Sequence, residues 1–305
     1  MKVEAYRKLA SKNELFPLID QALWELLNPM KFEEEIKADP RLKLSPVGYA
    51  AVEEGHIVGF VGVMDMVTRS LDGSEVKVGG IWDVATHPAH ARKGIATNLM
   101  QRAHQYFQER DYLFSLLTTG RDSVAYQFYQ KIGYHEALTF PSAYKLIRKG
   151  EKPSEGASIK KKPDWDRILD IHRQTTADRT GLVIRSKDYM SMLELRKIIH
   201  PDKTIQTEEG YALLKEDKGN FTIKEIMAPT KRETTRLIRR IEDIAPKTVI
   251  DRLVLDDQTL DAYRSQGYMI LTESYSVLMA KSLAKSTGFK QIYGDKFYLS
   301  SADLF

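Results

Sequence analysis

The sequence predicts an α/β protein (α+β layered) of two tandem domains, each a mixed twisted sheet with flanking helices. Three observations carry this expectation. Strand-like and helix-like patterns alternate as β-α-β-α-β, the order of a layered sheet. The stretch 148–163, RKGEKPSEGASIKKKP, is polar, charged and broken by Gly and Pro, as a linker between domains would be. Beyond it the same plan returns, and YQKIGY at 129–134 recurs as YRSQGY at 263–268, an offset of 134 at both ends (263 − 129 and 268 − 134). The expected division is a first domain over 1–150, a second over 151–285 and a tail over 286–305.

The elements follow in order. MKVEAYRKL reads as a first strand. Ser11 is placed to cap the next helix, with Glu14 three residues on completing a capping box. Residues 15–27 form an amphipathic helix and 31–37 a second short one. VGYAAVEEGHIVGFVGVMDMV is a hairpin, because two apolar runs flank Glu54-Gly55. After a loop containing Asp72-Gly73 come a strand over 76–85, a helix over 94–110, a strand over 112–118, a short helix over 123–131 and two closing strands. In the 94–110 helix, Leu99, Ala103 and Phe107 recur every four residues and make one buried stripe. In the second half, helices are expected at 163–177, 186–199 and 231–244. A hairpin turns at Gly219-Asn220, strands run over 221–228 and 248–255, a short helix ends at Gln266, and the strand 276–281 closes the second domain.

Composition limits the chemistry. The chain has 305 residues, 46 Lys+Arg against 42 Asp+Glu, for a net charge of +4. Hydrophobic content of 42% and charged content of 29% allow a buried core and exclude wholesale disorder or a fibrous repeat. With no cysteine, a disulfide framework, a thiolate metal site and a cysteine nucleophile are all excluded. A surplus of four among 88 charged residues (46 + 42) implies no nucleic-acid surface, and Lys160 to Lys162 read as a solvated linker. The longest apolar stretch, 56–67, is interrupted by Asp65 and too short to span a bilayer. The start MKVEAYRK has no apolar signal region, so a cytoplasmic protein without membrane association is expected.

The segment VGGIWDVATHPAHARKGIATNLMQRA, 78–103, carries the chemistry. A strand enters a short loop, the loop holds Arg92-Lys93-Gly94-Ile95-Ala96, and a helix begins at once. Backbone N–H groups at a helix start lack intrahelical partners and lie at the positive end of the macrodipole, which suits a pyrophosphate. Gly94 and Ala96 let phosphate oxygens approach the backbone. By itself the pattern also fits a plain tight turn that needs Gly for its geometry. It matches neither GxGxxG nor GxxxxGK[ST].

With a second motif the segment resembles the GCN5-related N-acetyltransferases. Their first signature is Pro-x-x-Arg-x-x-Gly-x-Gly/Ala opening a long helix; Pro88, Gly94 and Ala96 are in register with it. Their second is Asn-x-x-Ala-x-x-Phe/Leu-Tyr-x-x-x-Gly-Phe/Tyr; Ala125, Phe128, Tyr129, Gly133 and Tyr134 are in register. The likeness covers about 45–148. Ala91 stands where the first motif has Arg, and Asp122 where the second has Asn. The whole chain is similar to the tandem-domain, Eis-like branch, through Tyr-x-x-x-Gly-Tyr at 129–134, RTGLVIRSKDYM at 179–190, GYALLKED at 210–217 and the final Phe305. That branch typically adds a third, sterol-carrier-like domain, whereas only residues 282–305 follow here.

The resemblance implies acetyl-CoA as co-substrate, no metal, and direct transfer of acetyl to a primary amine. It implies Tyr129 as general acid to the departing thiolate. It implies Val84, Ala85 and Thr86, with Asp83, as the strand end beside the pantetheine arm, and Arg92 to Ala96 as the pyrophosphate loop. Asp122 stands at a cofactor-arm contact. For the base that takes the amine proton it implies the terminal carboxylate of Phe305, with Asp83 as the other candidate. Trp24 and Phe32 read as an aromatic wall for substrate or as core packing, and His87 and His90 as loop residues. The second domain lacks Gly at its helix start and has Glu233 where phosphate would lie, so it is expected to bind no acetyl-CoA. The acceptor is expected to be a polyamine or aminoglycoside-like molecule or a protein amine, and the branch implies a homo-oligomer. A non-catalytic acetyl-CoA-binding regulator is the alternative.

Overall fold

The computed structural model describes residues 1–23, 27–147, 163–272, 275–284 and 287–304. Trp24, most of the expected linker and Phe305 lie outside the described residues. The described chain divides into two compact units, 1–137 with 278–294, and 138–277 with 295–304.

The first unit opens with β1 (Lys2–Ala5), α1 (Leu15–Leu23) and α2 (Pro29–Ala38), then the hairpin of β2 (Gly48–Glu53) and β3 (His56–Arg69). Glu54 (φ 52°) and Gly55 (φ 88°) are both left-handed, the turn geometry that matches the strand twist of a tight hairpin. β4 (Glu75–Thr86), α3 (Ile95–Gln108), β5 (Phe114–Gly120), α4 (Val124–Lys131) and β6 (His135–Thr139) follow in the expected order. The α3 stripe is as expected, since Leu99, Ala103 and Phe107 are wholly buried. Gly79 on β4 is needed there, because a Cβ would sit 2.2 Å from the Phe107 ring.

The capping box at Ser11 does not form. Glu14 instead turns to the hairpin, where its carboxylate meets His56 Nδ1 at 2.7 Å and accepts from the Ile57 amide at 2.8 Å. A long-range hydrogen-bonded pair thus displaces a local cap.

The second unit holds β7 (Ser142–Leu146), α5 (Trp165–Thr175), β8 (Thr180–Gly181), α6 (Lys187–Leu195), β9 (Ile205–Gln206), β10 (Tyr211–Asp217), β11 (Asn220–Met227) and α7 (Lys231–Ile244). It continues through β12 (Thr248–Asp251), α8 (Asp257–Ser265) and β13 (Met269–Leu271). Then come β14 (Ser276–Ser282), α9 (Phe289–Tyr293) and β15 (Phe297–Tyr298). β14 from Leu278 on, together with α9, belongs to the first unit, and β15 belongs to the second.

Strand order corrects one expectation. The 276–281 strand does not close the second sheet. The first sheet runs β1-β2-β3-β4-β5-β14-β6, and the second runs β13-β7-β12-β11-β10-β9. β14 therefore stands between β5 and β6, and β7 stands between β12 and β13. Each half of the chain lends a strand to the other half's sheet. Period-two alternation fixes which face of a strand is buried, not which strand lies beside it. The divisions expected at 150/151 and 285/286 follow chain order, whereas the units divide at 137/138 and 277/278.

Candidate active site

β4 and β5 run parallel and pair at Val78↔Phe114, Gly79↔Ser115 and Gly80↔Leu116. Pairing stops there, although β4 continues to Thr86 and β5 to Gly120. The carboxyl ends of two parallel strands thus part, the usual place for a ligand in an α/β sheet. β4 leads from that end to the loop before α3, and β5 leads to α4. The chain thus runs from the ends of these two strands into three of the expected groups: the strand end at 83–86 and the loop at 92–96 along β4, and beyond β5 the helix that carries Tyr129.

The end of β4 is bulged. Phe60 pairs with Ala85 but Gly62 pairs with Trp82, so Asp83 and Val84 stand opposite Val61 alone. Asp83 is left-handed, φ 45°, a conformation that Asp tolerates better than most residues. A bulge turns backbone groups away from the ladder and is common beside active sites. Asp83, Val84 and Thr86 are half-buried, and Ala85 is buried.

The loop then delivers α3. His87 binds back through its amide to the Val58 carbonyl at 2.9 Å, and its ring accepts from the Ala89 amide. His90 Nδ1 lies 2.9 Å from Glu53 at the end of β2, so both histidines tie the loop to the β2–β3 hairpin. Arg92 (φ 62°) and Gly94 (φ 78°) are left-handed. Gly94 is the N-cap of α3, and no side chain caps that helix. A Cβ on Gly94 would meet nothing within 4 Å. No side chain caps the first amides of this 14-residue helix, and Arg92, Lys93 and Gly94 before it are exposed.

Tyr129 lies on α4, whose N-cap Ser123 accepts from the Tyr126 amide at 3.2 Å. Its ring is 6% exposed. It packs edge-on against Tyr134, with centroids 5.9 Å apart. Burial pushes the phenol up to about 12, so it is protonated at neutral pH. Asp122, in the turn before α4, is exposed. Phe32 is core: 5% exposed and packed edge-on against Tyr6 and Phe16.

The second unit repeats the parallel pair but not the opening. β11 and β12 pair from Asn220↔Thr248 to Ile223↔Asp251. At the next residue, Lys224, the carbonyl accepts from the Ala302 amide at 3.1 Å, so the chain's own end occupies that strand. Residues 299–303 are buried there. Asp303 is held by Arg185 at 2.7 Å, the Tyr189 hydroxyl at 2.6 Å and the Ser300 amide at 2.7 Å. α7 is capped by Thr230, whose hydroxyl accepts from the Glu233 amide.

Sequence reasoning missed the bulge at Asp83, which no residue pattern announces. It also missed the groups behind Tyr129. Tyr134 belonged to the second motif, but His104, Ser115 and Lys281 are scattered over three elements and reach Tyr134 or α4 only through the fold.

Comparisons with known proteins bear on the domain and the fold. Residues 26–137 match the acetyltransferase (GNAT) domain model. The uncharacterized protein YdhI of Bacillus subtilis is 32% identical over 108 residues, 33% of this chain; the match spans 58% of that relative's length. A GCN5-related N-acetyltransferase structure from Kribbella flavida superposes with TM-score 0.66 at 15% identity, over 92% of this chain and 72% of that one. Eis1 from Mycobacterium abscessus gives 0.59 at 17%, over 92% and 73%. The N-myristoyltransferase of Saccharomyces cerevisiae, solved with myristoyl-CoA, gives 0.60 at 10%, over 98% and 89%. These likenesses concern the fold. The domain match places a GNAT acetyltransferase domain at residues 26–137, and the structural likenesses carry the fold over the described chain.

Proposed function

We propose that the chain transfers acetyl from acetyl-CoA directly to a primary amine. The observation that carries the reading is the uncapped start of α3, opening beside the parted ends of β4 and β5. The amides after Gly94, with Arg92 and Lys93, bind the diphosphate. The pantetheine arm lies along β4 from Asp83 to Thr86. A backbone N–H at Val84 or Ala85, released by the bulge, donates to the thioester oxygen and to the oxyanion that replaces it.

The free amine attacks the thioester carbonyl, the tetrahedral intermediate collapses, and the C–S bond breaks. Tyr129 gives its proton to the leaving thiolate and is reprotonated, through water, by the proton that the attacking nitrogen sheds as it becomes the amide. The amine proton passes to Asp83, directly or through water, because an alkyl ammonium of unperturbed pKa about 10.4 must lose it first. The acceptor is a small polycation or a protein amine. The second unit takes no acetyl-CoA, since Thr230 caps its helix and residues 299–303 occupy its strand end.

The test is coenzyme A release from acetyl-CoA over a panel of polyamines, aminoglycosides and peptide amines. Release that depends on the amine, with intersecting initial-rate patterns, supports direct transfer in a ternary complex. Parallel ping-pong patterns contradict it. Binding of acetyl-CoA without turnover on any amine favours the regulatory alternative.

A further inference from the structure

Tyr129 reaches its position without a hydrogen bond from its own hydroxyl among the described residues; burial is the sole cause of its shifted phenol. What holds it is its backbone and the ring behind it. Its carbonyl accepts from the Tyr134 amide at 3.0 Å and from the Ile132 amide at 3.2 Å. Its ring rests on Tyr134, which is wholly buried. The Tyr134 hydroxyl lies 2.6 Å from Ser115 Oγ on β5 and 2.9 Å from His104 Nε2 on α3.

Lys281 on β14 reaches both supports. Its ammonium donates to the Ile132 carbonyl at 2.7 Å, at the C-cap of α4, three residues beyond Tyr129. It also lies 3.5 Å from His104 Nδ1. A helix C-terminus leaves carbonyls unpaired and carries partial negative charge, so an ammonium there is doubly favourable. The contact with His104 fixes direction. An ammonium only donates, so Nδ1 accepts. Burial first, and the Lys281 charge second, hold His104 down to about 3, so its ring is neutral. Nε2–H must then donate to the Tyr134 oxygen, and the Tyr134 O–H is left to donate to Ser115.

We propose that Lys281 is a positioning residue for Tyr129: from the strand lent by the C-terminal half of the chain, it clamps the end of α4 and, through His104, orients the Tyr134 ring on which the phenol rests. This rests on the reading of Tyr129 as general acid. Without the clamp, α4 and its phenol are free to drift, and a misplacement of about 1 Å can cost roughly a hundredfold in rate.

The test is a kinetic double-mutant cycle on the full chain. Lys281→Met, shown folded by circular dichroism and melting, is expected to lower kcat about 10- to 100-fold and leave the KM for acetyl-CoA unchanged. Lys281→Arg should recover much of the rate. In a Tyr129→Phe background Lys281→Met should cost little further, because a residue acting through Tyr129 has nothing left to act on. Wild-type kcat in folded Lys281→Met, or full additivity in the double variant, overturns the proposal while leaving Tyr129 as acid. Wild-type turnover by Tyr129→Phe overturns both. If Lys281→Met does not fold, Lys281→Leu, which removes the donor to Ile132 and His104 while keeping an apolar stem, reads the same split.

Discussion

At the scale of the residue, Tyr129 is defined by what surrounds it. A buried phenol held above its ordinary range stays protonated at neutral pH, so in the proposed mechanism it has a proton to give to the departing thiolate. Tyr129→Phe keeps the ring packing and removes the proton. It should lower kcat about 10²- to 10⁴-fold with little change in acetyl-CoA affinity, measured by steady-state rates and calorimetry. Equal rates would remove the acid role. His104 makes a separate prediction about stability. It has an ordinary value of 6.5 unfolded and about 3 in place. The unfolded chain therefore binds a proton that the folded chain refuses, and the contribution is fully present above about pH 6.5 and lost as pH falls towards 3. Urea unfolding of the wild type should fall relative to His104→Gln by up to about 2 kcal/mol between pH 7 and pH 5. Parallel pH curves for the two proteins would contradict the buried neutral state. Tyr129 was legible because its motif is local, spanning 122–134. The partners that hold it are not, since no spacing rule joins 104, 115 and 281.

At the scale of the element, two helix starts with the same place in their units behave oppositely. α3 begins at a left-handed Gly94 with no capping side chain, and α7 begins at Thr230, which caps it. The sequence shows this directly, because Gly before the first turn leaves amides free, whereas Thr followed three residues later by Glu closes them. Gly94→Ala should weaken coenzyme A binding about tenfold, or ~1.4 kcal/mol, by placing a methyl at the phosphate and straining a φ of 78°. Unchanged calorimetric affinity would locate the phosphates elsewhere. The bulge at Asp83 shows where reading by element stops. WDVAT alternates like any strand end, and the extra residue appears only when β3 is laid beside it. The failed capping box at Ser11 has the same cause, a partner 42 residues away at His56 that outbids a local one.

At the scale of the whole molecule, the repeat and the order of elements were legible, and the pairing of strands was not. Exchange of β7 and β14 makes each sheet depend on both halves of the chain. A fragment ending at 147 lacks β14 between β5 and β6, so it should fail to fold cooperatively by circular dichroism and denaturant titration. Cleavage within 148–162 of the intact protein should leave the two pieces together on gel filtration, because each piece carries a strand of the other's sheet. A stable, cooperatively folding 1–147 fragment would contradict the exchange. The central claim is that α3, and not its counterpart α7, receives the acyl carrier and brings it to Tyr129. Isothermal titration of the full chain with coenzyme A tests this most directly. One site per chain is expected, weakened by Gly94→Ala and untouched by Thr230→Ala. Two equivalent sites, no binding, or a site lost with Thr230→Ala would contradict it.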